Sequence, residues 1–329
     1  MKKFFALFSA LVMAFSLSGC SDEAKELKTV RVSEVTRSVF YAPSYVAMSQ
    51  GFFEEEGLNI ELSTGQGADK VMTSVLSKDA DIGFSGPEAA VYVYNEGRDN
   101  YPVIFAQVTK RDGSFIIGRE KEDFSFENMR GKKILGGRKG GVPEMTLEYV
   151  LKNNGLKPNE DIEVDTSIQF ALMAGAFSGG EGDYVTLFEP AASLLENEGK
   201  GYILASVGEA SGEIPYTCYY ADKKYIEENK DIIESFVRAL YKGQKWVKEH
   251  SARDTAEAIK DFFPDSDIEL LEKVTQRHKD IDAFMDTPKV SSEGFKRLFE
   301  VMKSAGVIEN EIPFEEIVDN SFADKVLAQ

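Results

Sequence analysis

Thr29-Val30-Arg31-Val32-Ser33-Glu34-Val35, followed by Tyr41-Ala42-Pro43-Ser44-Tyr45-Val46-Ala47, sets the pattern for the chain. The first run reads as a strand, and residues 43–56 read as a helix. That helix carries Tyr45, Val46, Met48, Phe52 and Phe53 and stops at Gly57. Residues 59–63 form a second strand, closed by the turn Thr64-Gly65-Gln66-Gly67. Residues 68–77 place Val71, Met72, Val75 and Leu76 at helical spacing, 80–84 return as a strand, and Pro87 opens another helix. Repeated strand, helix and strand units imply right-handed crossovers and a sheet rich in parallel pairs, an α/β architecture. Such sheets hold ligands beyond the carboxyl ends of their strands.

Working outward, residues 101–118 read as one long extended segment interrupted by Lys110-Arg111-Asp112-Gly113. A second series of strand and helix signals follows at 133–135, 143–153, 162–164 and 169–177. Residues 202–207 and 216–220 are extended again. From Lys223 the pattern is helical, with one apolar stripe of Ile233, Phe236, Val237, Leu240 and Val247 and another of Phe295, Leu298, Phe299 and Met302. The order predicts a discontinuous first lobe, 29–115 with 219–329, and an inserted second lobe, 116–218. Extended crossings are expected near 114–119 and 216–221. No internal repeat or low-complexity tract is visible.

The amino end sets the expected compartment. Lys2 and Lys3 precede an apolar run, 4–17, that ends in Leu17-Ser18-Gly19-Cys20. It is too short to span a bilayer and reads as a secretory signal over 1–19. Leu-Ser-Gly-Cys resembles the lipobox of bacterial lipoproteins, which implies lipidation of Cys20, a short tether over 20–28 and membrane anchoring by two or more acyl chains. The expected location is the outer face of the cell membrane, the periplasmic side where an outer membrane exists. With Cys20 lipidated, Cys218 stands alone and no intrachain disulfide is available. The net charge of -18 argues against nucleic acid and anionic lipid as partners.

Several short motifs now form an ordered set: the 41–47 stretch, Gly51-Phe52-Phe53-Glu54-Glu55-Glu56-Gly57-Leu58, Ala80-Asp81-Ile82-Gly83-Phe84-Ser85-Gly86, Gly182-Asp183-Tyr184 with Glu189-Pro190, and Val318-Asp319-Asn320-Ser321-Phe322. The set resembles the solute-binding proteins of ABC importers for nitrate, sulfonates and thiamine pyrimidine precursors, from about Val30 to Phe322. The resemblance implies the type II periplasmic-binding-protein fold, two α/β lobes joined by a two-strand hinge and closing on a ligand. It also implies an ABC permease and ATPase as partners. A monomer is expected.

The candidate ligand residues lie in loops at strand ends. Ser38 and Tyr41 precede a helix, Tyr41 favoured for the site and neighbouring Phe40 for the core. Gln66 sits in a glycine turn that opens a helix, with a plain turn as the alternative. Ser85 and Glu88 flank Gly86-Pro87, and Glu88 is equally explained as a first-turn charge on a helix. Arg138, Lys139 and Gly140 belong to Gly136-Gly137-Arg138-Lys139-Gly140-Gly141, an anion-binding nest or a turn with a solvated basic pair. That loop lacks the Gly-Lys-Ser/Thr ending of a P-loop. In the pyrimidine-precursor relatives a Glu accepts hydrogen bonds from a ring amine, which the resemblance carries over to Glu189. The alternative is a helix-start Glu before Pro. Glu88, Glu189 and Tyr41 tilt the expectation toward a neutral or cationic heteroaromatic ligand, whereas Arg138 and Lys139 pull toward a formyl, phosphate or carboxylate group; the alternative ligand class is an alkanesulfonate, taurine or nitrate.

An enzyme is the competing class. The eukaryotic thiamine-pyrimidine synthase, a relative of this fold, depends on clustered His and Cys with iron. This chain has two histidines, His250 and His278, and two cysteines. Both histidines read as solvated helix residues and Trp246 as a packing residue. No His-Glu-x-x-His or Gly-x-Ser-x-Gly motif is present, so neither a cofactor, a metal nor a catalytic residue is expected. An adhesive surface lipoprotein is a third class.

Overall fold

A computed structural model describes residues 26–329. The signal segment 1–19, Cys20 and most of the 20–28 tether lie outside the described residues.

The strands in chain order are β1 Lys28–Glu34, β2 Leu58–Thr64, β3 Ile82–Ser85, β4 Pro102–Thr109, β5 Ser114–Gly118, β6 Lys133–Leu135, β7 Glu163–Asp165, β8 Tyr184–Phe188, β9 Tyr202–Ser206 and β10 Thr217–Asp222. They form two five-stranded sheets, ordered β2-β1-β3-β10-β4 and β7-β6-β8-β5-β9. In each sheet the first three strands are parallel. The fourth runs antiparallel to both of its neighbours. The two sheets therefore share one strand order, which the sequence shows by no internal repeat.

Burial explains the strand composition. Every residue of β3, β4 and β10 is buried, as suits strands covered on both faces. β2, at the sheet edge, leaves Glu61, Ser63 and Thr64 exposed. Each parallel strand feeds a helix: Ala42–Ser49, Ala68–Leu76 and Glu88–Asn95 in the first sheet, Val142–Asn153, Met173–Ser178 and Ala191–Asn197 in the second. The expected 43–56 helix is two pieces, Ala42–Ser49 and Phe52–Glu55, because Gly51 adopts a left-handed φ of 74° between them.

The helical C-terminal region covers the first sheet. Helix Lys230–Glu249 buries Ile233, Phe236, Val237, Leu240 and Val247. Phe236 packs edge-on to Tyr219 of β10 with centroids 4.8 Å apart and meets Phe53 at 4.9 Å. Burying such a ring contributes about 1.5–3 kcal/mol. Gln244 on the same helix donates to the Gln107 carbonyl of β4 at 2.9 Å, which fixes the helix along its axis.

The chain passes between the sheets twice, at 110–113 and 207–216. The segments expected as crossings, 114–119 and 216–221, fall almost wholly within β5 and β10, just after each passage. The passages are tied together: Ile214 N–H donates to the Lys110 carbonyl at 2.9 Å and Tyr216 N–H to the Thr109 carbonyl at 3.1 Å. Asp112, fully buried, accepts from the Ser114 N–H at 2.6 Å and its hydroxyl at 2.5 Å. Burial raises the Asp112 carboxyl to about 6 despite those bonds.

Candidate binding cleft

The loops that follow the parallel strands of the two sheets face one another, as open α/β sheets place their ligand loops. Ser38 lies in the loop after β1, is buried, and donates its hydroxyl to the Glu189 carbonyl at 2.8 Å, binding the two sheets' loops together. It also caps the 3-10 turn Val39–Tyr41 through the Phe40 N–H. Tyr41 leans on Phe84 at 4.7 Å, within its own half, and its buried hydroxyl sits beside Thr217. Phe40 reaches further than its neighbour, meeting Tyr216 at 5.7 Å and Phe188 of the second sheet at 6.0 Å. Phe188 in turn meets Tyr216 at 6.0 Å and Phe170 at 5.5 Å. A seam of rings drawn from both sheets results, at separations where aromatic pairs attract.

Glu88 is the first residue of helix Glu88–Asn95 and only 1% exposed. Its Oε2 has no hydrogen-bond partner. Arg138 of the second sheet's glycine loop is its nearest cation, at 3.9 Å, and also pairs with Asp69 at 3.6 Å. Burial raises the Glu88 carboxyl to about 7, with Arg138 and the N–H groups of Glu88, Ala89 and Val142 offsetting part of that penalty. Gly140 is drawn to the same place: its carbonyl accepts from the Tyr92 hydroxyl at 2.8 Å and its N–H donates to Glu144 at 2.9 Å. Glu144 is itself raised to about 7 by burial.

The remaining candidates are placed differently. Gln66 is exposed, with a φ of 62° in its turn. Lys139 is exposed. Ser85 is buried against β10, its hydroxyl 2.8 Å from that of Tyr220, so it serves the sheet. The Glu189 carboxylate, expected to receive a ring amine, is already engaged. Its oxygens accept from the Ser193 N–H and hydroxyl, each at 2.8 Å, and from Arg277 of helix Ile268–Asp280. Glu88, Arg138 and Gly140 thus lie together through the Arg138 and Tyr92 contacts, and Ser38 makes a separate tie to the Glu189 backbone.

Sequence reading missed Glu34, Tyr92, Glu144, Phe188, Tyr216 and Arg277. Tyr92 and Glu88 are four apart on one helix, a spacing that puts them on one face and was readable. Glu34, at the end of β1, is fully buried and accepts from Tyr45 at 2.7 Å and Thr64 at 3.2 Å, with Arg37 at 3.2 Å. Burial raises it to about 7.

His278 is not a solvated residue, and His250 is half-buried. His278 is fully buried among Phe40, Phe115 and Phe284, neither ring nitrogen has a partner, and burial holds its pKa near 3. It is neutral at physiological pH. His250 stacks on Trp246 at 3.9 Å. Cys218 is free and buried. Among the described residues no three His, Cys, Asp or Glu side chains converge as metal ligands, so this donor set does not fit an iron site of clustered His and Cys. Among the described residues no helix is long and apolar enough to cross a membrane.

Comparison with known proteins agrees with this architecture. A Bacillus subtilis (strain 168) protein bearing the name of a binding protein, YtlA, is 42% identical over 326 residues, covering 99% of this chain and 97% of its own. The 4-amino-5-hydroxymethyl-2-methylpyrimidine phosphate synthase of Candida albicans (strain WO-1) is 23% identical over 256 residues, 72% of each chain. The alkanesulfonate-binding protein SsuA from Xanthomonas axonopodis pv. citri, solved bound to MOPS, superposes with a TM-score of 0.70 at 16% identity over 90% of this chain and 99% of that one. That likeness establishes the type II periplasmic-binding-protein fold. The NMT1/THI5-like family model matches residues 39–253, and with a relative as similar as YtlA across nearly the whole length, the chain belongs to the NMT1/THI5-like family.

Proposed function

We propose that this protein is an extracytoplasmic solute-binding protein of an ABC importer, and that it holds a small heteroaromatic molecule of the thiamine-pyrimidine-precursor kind. The lobes are 29–115 with 219–329 and 116–218, and they close about the paired passages at 110–113 and 207–216. Removal of 1–19 and lipidation of Cys20 tether the protein, a monomer, to the membrane beside its permease and ATPase.

The observation that carries this reading is the aromatic seam, Phe40 of the loop after β1 and Tyr216 of the second passage against Phe188 of β8, together with a buried carboxylate on Glu88. Aromatic rings and a carboxylate acceptor are the groups that recognise a planar ring with amine substituents. Ligand contacts made to both lobes at once favour the closed form, which a permease then recognises. The name of YtlA supports binding over catalysis, as does the buried, unclustered placement of His278 and Cys218.

A second reading, an alkanesulfonate, taurine or nitrate as ligand, draws support from Arg138 in its glycine loop and from the printed ligand class of the Xanthomonas protein. Calorimetric titration with hydroxymethylpyrimidine, its formylamino precursor, thiamine, riboflavin, taurine and nitrate separates the two. One-to-one binding of a heteroaromatic compound, recovered chemically unchanged, is the expected result. Binding confined to taurine or nitrate replaces the ligand class. Conversion of the pyrimidine replaces binding with catalysis, and no response to any of the six favours the adhesive lipoprotein.

A further inference from the structure

Helix Glu88–Asn95 of the first sheet meets the glycine loop and helix Val142–Asn153 of the second along one side of the cleft. The Tyr92 hydroxyl reaches the Gly140 carbonyl at 2.8 Å and the Met145 sulfur at 3.7 Å, and Arg138 reaches Asp69 at 3.6 Å. Glu88 is covered within this contact. Its Oε1 faces the Arg138 guanidinium at 3.9 Å, too far for a hydrogen bond, and its Oε2 has no donor. A carboxylate so placed and only 1% exposed is a poorly compensated charge, and a neutral carboxyl avoids that cost. Other carboxyls raised by burial keep their partners when the halves part. Glu34 is held by Tyr45, Thr64 and Arg37 of its own half, and Glu144 by the Gly140 N–H of its own loop. Asp112 is bonded to Ser114 beside the paired passages. Glu88 differs because its cation and the Val142 N–H turned toward it come from the opposite half. The other titratable groups around it are Tyr41, Tyr92, Tyr216, Cys218 and Tyr220, all pushed up by burial and also by the Glu88 charge, so they stay protonated through the neutral range.

We propose that closing the two halves takes up a proton from solvent at Glu88, on the donorless Oε2, so that acidity favours the closed form and alkalinity the open one. This regulates the cleft described above and rests on the reading of two lobes that close, but not on the identity of the ligand. With the halves apart the carboxyl returns to water and to its ordinary value of 4.5, whereas in the closed contact burial holds it at about 7. The closed form therefore binds the proton more tightly. The resulting preference for closure is fully present below about pH 4.5 and is lost as pH rises through 7. Arg138 works against protonation, so its removal moves the loss to higher pH.

Amide hydrogen exchange over segments 86–95 and 138–147, corrected for the intrinsic pH dependence of exchange, tests this without a ligand, and small-angle X-ray scattering follows the overall dimensions. Protection of both segments in the wild type is expected to rise by roughly tenfold or more between about pH 8 and 5.5. Glu88→Gln should be protected to the same extent at both pH values. Glu144→Gln, which alters a carboxyl bonded within its own half, should keep the wild-type slope, and Arg138→Ala should move the change to higher pH. Melting curves check that each variant is folded. Equal wild-type protection at the two pH values overturns the proposal, as does a Glu88→Gln protein that repeats the wild-type slope. Should Glu88→Gln fail to fold, Arg138→Ala decides, and an unmoved midpoint overturns the proposal. Scattering repeated with hydroxymethylpyrimidine or nitrate separates this result from the reading it rests on. Compaction by ligand with flat protection removes the proton and leaves the closing lobes standing. A wild-type slope that Glu88→Gln abolishes, without compaction by either compound, supports proton uptake and counts against those compounds as ligands.

Discussion

Glu88 and Glu189 hold corresponding places in the two sheets. Each follows the parallel strand in third position, each adjoins a proline, and each stands at the start of a helix. Their surroundings divide them. Four residues beyond Glu189 is Ser193, whose N–H and hydroxyl both donate to it, and Arg277 closes the remaining side. Four residues beyond Glu88 is Tyr92, whose hydroxyl turns away to the Gly140 carbonyl. One carboxylate is consumed in holding helices Ala191–Asn197 and Ile268–Asp280 together, and the other keeps an oxygen free. Availability for a ligand depends on the donors in the next turn and not on the residue type or its place in the topology.

The strongest way to break this comparison is to remove Arg277. Arg277→Ala strands the buried Glu189 carboxylate, and a loss of about 3–5 kcal/mol in unfolding free energy is expected from denaturant melts at pH 8. Glu88→Gln should act in the opposite direction. It removes a buried charge that lacks a full set of partners, so stability at pH 8 is expected to hold or rise, by about 1–3 kcal/mol. Equal losses in both variants would erase the distinction.

The pH dependence sharpens it. Glu88 is raised to about 7 in the folded protein from its ordinary value of 4.5, so the native state binds its proton more tightly. Its contribution to stability is fully present below about pH 4.5 and is lost as pH rises through 7. Stability curves of wild type and Glu88→Gln should therefore diverge between about pH 4.5 and 7, with the variant flatter by roughly 2–3 kcal/mol. Parallel curves across that window would show that Glu88 ionises normally.

Smaller effects test the ties between the halves. Ser38→Ala removes the hydroxyl bonded to the Glu189 carbonyl and should cost about 1 kcal/mol, read by the midpoint of urea unfolding. Tyr92→Phe, which removes the bond to the Gly140 carbonyl at the partly exposed edge of the cleft, should cost about 0.5–1 kcal/mol. A larger effect from Tyr92 than from Ser38 would place the main tie at the glycine loop.

The fold was largely legible because alternating strand and helix periods survive in a single sequence. Residues 29–35, 59–63 and 80–84 predict β1, β2 and β3 closely, and the Phe236 and Phe299 stripes identify faces that are buried. The missed details are local or long-range. Gly51 breaks the first helix through one left-handed residue, which apolar spacing does not register. The repeated strand order is a property of hydrogen bonding between distant segments. In the cleft, the Ser193 donor four residues from Glu189 was readable, but Arg277 reaches it from 88 residues away. His278 illustrates the same limit: its helix is rich in charge, yet its own face is enclosed by Phe40, Phe115 and Phe284.

The most direct test of the account is a crystal structure of the protein with hydroxymethylpyrimidine. The account predicts the ring between the two sheets' loops, its amine about 2.7–3.2 Å from the Glu88 carboxylate, and Glu189 still held by Ser193 and Arg277. Ligand density on Glu189, or outside the space between the sheets, would contradict it.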